Sequence, residues 1–271
     1  MRAPLCIYHG NCPDGLMSAA VFLIAFPEGE TFAAISRTTL PDVSLLSDRD
    51  VYLVDFSYSL ENILLLKSQC SNLVILDHHD TAKAVLSKLP YAVFQDNKSG
   101  CQIAWDFFFP GQLVPKAVEL IGNADLWNFS VDGTQQISIV AEALPSDPKA
   151  WKDFLYTVEQ DYGSVLAQGT FLLPWKESLL QRLAAKSFMV EFEGFVVPAI
   201  NSSIWKSELG GILSIGHPFA IIFSGYGSNW SWSLRSQKTG ENCRLIAEKY
   251  NGGGHNNAAS FFHTIAPEKI K

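Results

Sequence analysis

The sequence has no apolar run long enough to cross a bilayer, no clustered cysteines and no surplus of basic residues, and each lack removes a class of function. Its longest apolar stretch near the start, LMSAAVFLIAF, runs only from Leu16 to Phe26, well short of the ~20 residues a membrane-spanning helix needs. It follows Asp14 and Gly15 rather than a basic leader with a small-residue cleavage site, so no export signal and no membrane partner are expected. The 5 cysteines (Cys6, Cys12, Cys70, Cys101, Cys243) are odd in number, scattered and without CxxC spacing. That excludes a disulfide framework and points to reduced thiols in the cytoplasm. With 20 Lys+Arg against 27 Asp+Glu the formal net charge is −7, which argues against a broad basic face for long duplex nucleic acid. A small local phosphate pocket stays compatible with it.

What remains is an ordinary globular composition, 48% apolar and 17% charged over 271 residues. At ~150 residues per domain the length allows one large or two modest domains. The first half alternates short apolar runs with amphipathic ones. LCIY (Leu5–Tyr8), VYLVDF (Val51–Phe56), LVILD (Leu73–Asp77) and Tyr91–Phe94 read as buried strands. Between them, Pro13–Phe26 reads as a helix with Pro in its first turn, Ser59 caps a second helix, and Thr81–Leu89 forms a short third. Fully apolar strands alternating with helices predict a parallel sheet covered on both faces, an α/β layer architecture. From Ser99 to Lys186 the pattern turns helical, with Leu172–Phe188 as one long connecting helix. Beyond Glu191, FVVPAI (Phe195–Ile200), FAIIF (Phe219–Phe223) and WSWSLRS (Trp230–Ser236) are strand-like, and Ile204–Ile215 and Cys243–Tyr250 helical. The expected domains are 1–188 and a smaller α/β domain over 189–271.

The chemistry-bearing residues fall where the apolar runs end. After LCIY comes HGNCPDG with His9, Asn11 and Asp14; after VYLV comes Asp55; after LVIL come Asp77, His78 and His79. In an open parallel sheet, ligands gather at the carboxyl ends of the strands. Three strands therefore deliver imidazoles and carboxylates to one edge, and Asp125 in LIGNADLW can complete the set. Carboxylate and imidazole without thiolate clusters suit Mn2+, Mg2+ or another divalent ion of intermediate hardness. Taken singly, each residue has a plainer reading: Asp55 as a turn residue, His9 as a sheet-edge histidine, Cys12 as a small packing residue. Adjacent histidines after a buried strand are different, because desolvating two imidazoles is costly unless each has a partner. A second feature is GGGHNNAASF (Gly252–Phe261): Gly252, Gly253 and Gly254 allow backbone N–H groups to approach an anion, and His255 can donate to a phosphate. Arg235 can add a bidentate clamp. Trp127, Tyr226, Trp230 and Trp232 are candidates to stack on a base or to fill the core.

These motifs together resemble the DHH phosphoesterases with a C-terminal DHH-associated domain, close to nanoRNase and dinucleotide-phosphodiesterase types. The resemblance covers nearly the whole chain, from HGNCPDG through Asp77-His78-His79 to SLRS and GGGHNNAASF. It implies an active site in the cleft between the domains and two divalent metal ions, Mn2+ first with Mg2+ or Co2+ as substitutes. His9 and Asp55 would bind one ion; Asp14, Asp55, His78 and Asp125 would bind the other, with Asp55 as the bridge. Asp77 would orient a histidine, and His79 would face the substrate phosphate and stabilise or protonate the leaving group. Ser99 and Gly100, opening a helix, would offer its N-terminus to a phosphate. Gly252, Gly253, Gly254, His255 and Arg235 would grip the substrate. Many members carry two acids in the first motif where this chain has only Asp14, which leaves Asn11, or secondarily Cys12, as the weaker ligand, or one metal held loosely.

The function so implied is hydrolysis of phosphodiester bonds in short oligonucleotides or linear or cyclic dinucleotides, by hydroxide activated between two metals. A nucleotide-binding sensor without turnover and a pyrophosphatase or exopolyphosphatase are the alternatives, and a homodimer is left open.

Overall fold

The computed structural model describes residues 2–10, 12–35 and 40–264, and these form two compact units, 1–173 and 174–271. In the first unit β1 (Leu5–His9), α1 (Pro13–Ala25), β2 (Glu30–Ala34), α2 (Val43–Leu46), β3 (Asp50–Val54), α3 (Leu60–Gln69), β4 (Asn72–Asp77), α4 (Asp80–Leu86) and β5 (Ala92–Phe94) alternate. The strands pair in parallel in the order β2-β1-β3-β4-β5. Side chains alternate across a strand, so consecutive apolar residues feed both faces of the sheet. Cys6, Tyr8, Val54 and Leu76 pack on the face of α1, while Leu5, Ile7, Leu53 and Ile75 pack with Ile63 and Leu66 of α3. The expected doubly covered parallel sheet is present.

Helices α5 (Gly100–Phe108), α6 (Lys116–Asp125), α7 (Thr134–Ala141) and α8 (Pro148–Gln160) thicken the α1 side. Helix α1 is buried along nearly its whole length, from Asp14 to Leu23, because α5, α6, α8 and the sheet surround it. A helix enclosed in this way needs no polar stripe, which is why LMSAAVFLIAF is apolar on every side.

The long helix α9 (Tyr162–Ala184) starts ten residues earlier than the sequence pattern suggests and contains Pro174, where the two units divide. Its last turns belong to the second unit, with Leu180 and Ala184 buried among Ile200, Leu209, Ala220 and Ile222. The expected helix through Phe188 ends short of it, since Phe188 opens a strand. That unit continues with β6 (Phe188–Phe192), β7 (Phe195–Asn201), α10 (Lys206–Leu213), β8 (Ala220–Tyr226), β9 (Asn229–Arg235), α11 (Cys243–Glu248), β10 (Gly253–His255) and β11 (Ala258–His263). Its sheet runs β10-β11-β9-β8-β7-β6, antiparallel except for β7 with β8. The alternation in WSWSLR decides the faces of β9: Trp232 and Leu234 are buried in the core that includes Ile246 and Ala247 of α11. Ser231, Ser233 and Arg235 point the other way. No helix among the described residues is long and apolar enough to cross a membrane.

Candidate metal centre

Register brings the first-unit residues together. Tyr8 of β1, Val54 of β3 and Leu76 of β4 lie side by side in the parallel sheet, so the next residues along each strand, His9, Asp55 and Asp77, emerge at the same carboxyl edge. Asp55 keeps one more ladder bond, its N–H donating to the Leu76 carbonyl at 2.9 Å. Its backbone then turns into the left-handed region with φ 54°, a conformation unfavourable for a residue with a Cβ. That turn places its carboxylate between two imidazoles: Oδ2 lies 3.3 Å from His9 Nδ1 and Oδ1 lies 3.1 Å from His78 Nε2.

His78 sits among three carboxylates. Besides Asp55, its Nε2 is 3.5 Å from Asp125 Oδ2 and 3.8 Å from Asp14 Oδ2. Burial lowers its basicity, but the hydrogen bond to Asp55 and the charges of Asp55, Asp14 and Asp125 outweigh that and raise its pKa to about 10. Burial and the Asp55 charge push Asp14 up to about 6. Burial, with the charges of Asp14 and Asp55, raises Asp125 well above the usual carboxylate range. Asp55 goes the other way: burial opposes its charge, but the hydrogen bonds of His78 and His9 hold it well below that range.

Asp77 serves its neighbours. One oxygen accepts from the His78 and His79 backbone N–H groups at 2.8 and 3.2 Å and pairs with His79 Nδ1 at 2.7 Å, fixing the His79 ring. Burial lowers the basicity of His79, but Asp77 beside it reverses the sign and raises its pKa.

Asp14 is secured from a distance. The Gly100 and Cys101 amides, opening α5, donate to its two oxygens at 2.6 and 3.0 Å. The helix N-terminus expected to receive a phosphate thus receives the Asp14 carboxylate, and Ser99 is fully buried as the N-cap of α5. Gly100 also allows α5 to approach the site: a Cβ there would lie 2.4 Å from the Asp55 Cβ. Gly15 has a similar role on α1, where a Cβ would lie 2.2 Å from the His9 carbonyl oxygen.

Two triads result whose ligand atoms lie within 4.8 Å of one another: His9 with Asp55 and His79, and Asp14 with His78 and Asp125. Grouping His79 with His9 and Asp55 goes beyond the sequence reading, which placed it only toward the substrate; the Asp77 pairing that turns its ring is local, and was visible in the motif. Asn11 lies outside the described residues. The donor set fits divalent cations: two buried carboxylates, Asp14 and Asp55, and the more exposed Asp125 converge on one imidazole and share a negative charge that a cation would balance.

In the second unit, the expected glycine loop is the edge of a hairpin. Gly253, Gly254 and His255 form β10, paired with Ser260, Ala259 and Ala258 of β11; Gly252 precedes it and donates to the Ala247 carbonyl. A glycine run carries no strand signal of its own, so only the pairing reveals it. His255 lies opposite Ala258, which lies opposite Arg235, so His255 and Arg235 share a sheet face across a small residue. Arg235 donates to Ser207 Oγ from Nε and Nη2 at 3.2 and 3.1 Å and to the Leu234 carbonyl from Nη1. Of the aromatic candidates, Trp232 is fully buried and Trp127 and Tyr226 are exposed, while the Trp230 indole donates to the Gly227 carbonyl.

No family model matches the chain. An uncharacterized protein of Acanthamoeba polyphaga mimivirus is 27% identical over 95% of this chain and 67% of its own length. Among solved structures, a DHH domain from a family of ribosomal proteins superposes with a TM-score of 0.56 at 14% identity, over 97% of this chain and 83% of that one. The chain has the DHH fold. Two more structures share it: the pGpG-specific phosphodiesterase of Vibrio cholerae (TM-score 0.55, 12% identity, 97% of this chain, 94% of that one) and the exonuclease RecJ bound to manganese (0.50, 14%, 96% and 86%). In this DHH fold both ligand triads lie at the carboxyl edge of the parallel sheet.

Proposed function

We propose that the protein is a divalent-metal-dependent phosphoesterase that cleaves phosphodiester bonds of short oligonucleotides or dinucleotides to mononucleotides. The observation that carries the reading is Asp55, one carboxylate whose two oxygens face imidazoles belonging to two adjacent ligand triads. Sharing the DHH fold with a dinucleotide phosphodiesterase and with a manganese-bound nuclease supports the reaction class and makes Mn2+ the first metal to try.

Asp55 would bridge two ions, with His9 completing one set and Asp14, His78 and Asp125 the other. When bound, such a pair supplies Lewis acidity and a water acidic enough to ionise near neutrality. The chain's own residues orient the reaction. Asp77 fixes the His79 ring, and His79 holds a proton toward the leaving oxygen. The α5 amides keep Asp14 directed at His78. Arg235 and His255 grip a phosphate on the second unit. The net charge of −7 favours small substrates over long strands.

Purified protein incubated with a 5′-phosphorylated dinucleotide and Mn2+ should release mononucleotides, and EDTA should abolish the release. Tight binding with no product over hours would make the protein a sensor. Orthophosphate released from a base-free polyphosphate, with the dinucleotide untouched, would replace the substrate class.

A further inference from the structure

Helix α6 ends on the residue it delivers, Asp125, and the way it ends is unusual. The Asn128 N–H donates to the Asn123 carbonyl at 2.8 Å and the Trp127 N–H to the Ala124 carbonyl at 3.1 Å. This pair of bonds is a Schellman motif, whose left-handed position is ordinarily glycine. Here it is Trp127, at φ 57°. The turn is braced by side chains: Asn128 Nδ2 donates to Asn123 Oδ1 at 2.8 Å, and Ser130 Oγ donates to Asn128 Oδ1 at 2.6 Å. The indole gains little burial for this backbone cost, being 52% exposed, with the Phe129 ring edge-on at 4.9 Å. Folding alone favours glycine at this position. A large aromatic ring is instead held half in solvent, two residues from a candidate metal ligand, at most ~7 Å between α-carbons.

We propose that Trp127 is a nucleobase-stacking platform fixed to Asp125 by the helix terminus, giving the site its preference for base-bearing diesters. The proposal rests on the nucleotide reading above. A flat indole suits this task because every base has a π-face to stack on, and a rigid turn spares the ordering cost a mobile loop would incur.

The test compares the full-length wild-type protein with Trp127→Gly and Trp127→Phe. With Mn2+, Trp127→Gly should raise KM for a 5′-phosphorylated dinucleotide about tenfold or more. It should leave cleavage of an abasic analogue, with the same sugars and phosphates, unchanged. Trp127→Phe should recover most of the loss, and the Tm of Trp127→Gly should equal or exceed that of the wild type. An unchanged KM for the dinucleotide, an equal loss on the abasic analogue, or a fall in Tm that assigns the ring to packing would overturn the proposal. If the wild type cleaves neither diester, the hydrolase reading fails by itself and fluorescence decides the rest. Quenching by the dinucleotide that is lost in Trp127→Phe upholds the platform, and quenching that is absent or unchanged refutes it.

Discussion

The two sheets use their polar residues in opposite ways. At the carboxyl edge of the first, His78, Asp14, Asp55 and Asp77 are buried together, and their charges shift one another strongly. On the second, Arg235 and His255 share a face with Ser233, Ser260 and Ile222, and Arg235 is satisfied by a serine and a carbonyl. Concentrated buried charge is costly to assemble and marks a candidate functional site. A half-open face with a partnered arginine is suited to holding a ligand without distorting the fold. On the function proposed above, chemistry falls to the first unit and grip to the second.

The largest effect should come from Asp55→Asn. Losing the shared carboxylate should lower turnover and Mn2+ binding by roughly 100-fold or more, beyond the ~10–100-fold typical of an outer partner's loss. Far-UV circular dichroism should stay that of the wild type, and near-normal turnover would break the comparison at its centre. Asp77→Asn should follow, with a fall of ~10–100-fold in turnover as His79 loses its anchor, read in the same Mn2+ assay. Gly100→Ala forces a methyl against Asp55 and should cost ~1–3 kcal/mol, seen in denaturant unfolding together with weaker metal binding. On the other unit, His255→Ala should raise KM with little change in kcat; a large fall in kcat at constant KM would move His255 into the chemistry.

The smallest effect concerns a surface cluster far in character from the site. Glu193 accepts from Tyr250 Oη at 2.6 Å and pairs with Lys249, which lowers its pKa. A carboxylate depressed in the folded state contributes stability above its unfolded pKa and loses it as pH falls through the folded value. Unfolding of wild type and Glu193→Gln should therefore converge in acid and differ by less than ~1 kcal/mol at neutral pH.

Legibility followed the physics of each element. Strands β1, β3 and β4 announce themselves because both their faces are buried, so the residues that end them stand out as polar. Strand β2, ETFAA, is half exposed and short, with no apolar run to mark it. The β10–β11 hairpin hides behind glycines, and its register with Arg235 depends on pairing across the sheet. Motif spacing is enough to nominate His9, Asp14, Asp55, His78 and Asp125, yet it carries no sign that the Gly100 amide belongs to Asp14. That contact is made by backbone groups, which every residue possesses. The left-handed backbone of Trp127 is hidden for the same reason, since a tryptophan in the sequence advertises a core residue.

The bond between Asp14 and the opening of α5 spans 86 residues. A nascent chain emerging from the ribosome therefore exposes its first acidic residue long before the amides that secure it exist, and Asp125 arrives later still. Any product of premature termination ahead of α6 lacks Asp125, so it cannot assemble the triad of Asp14, His78 and Asp125.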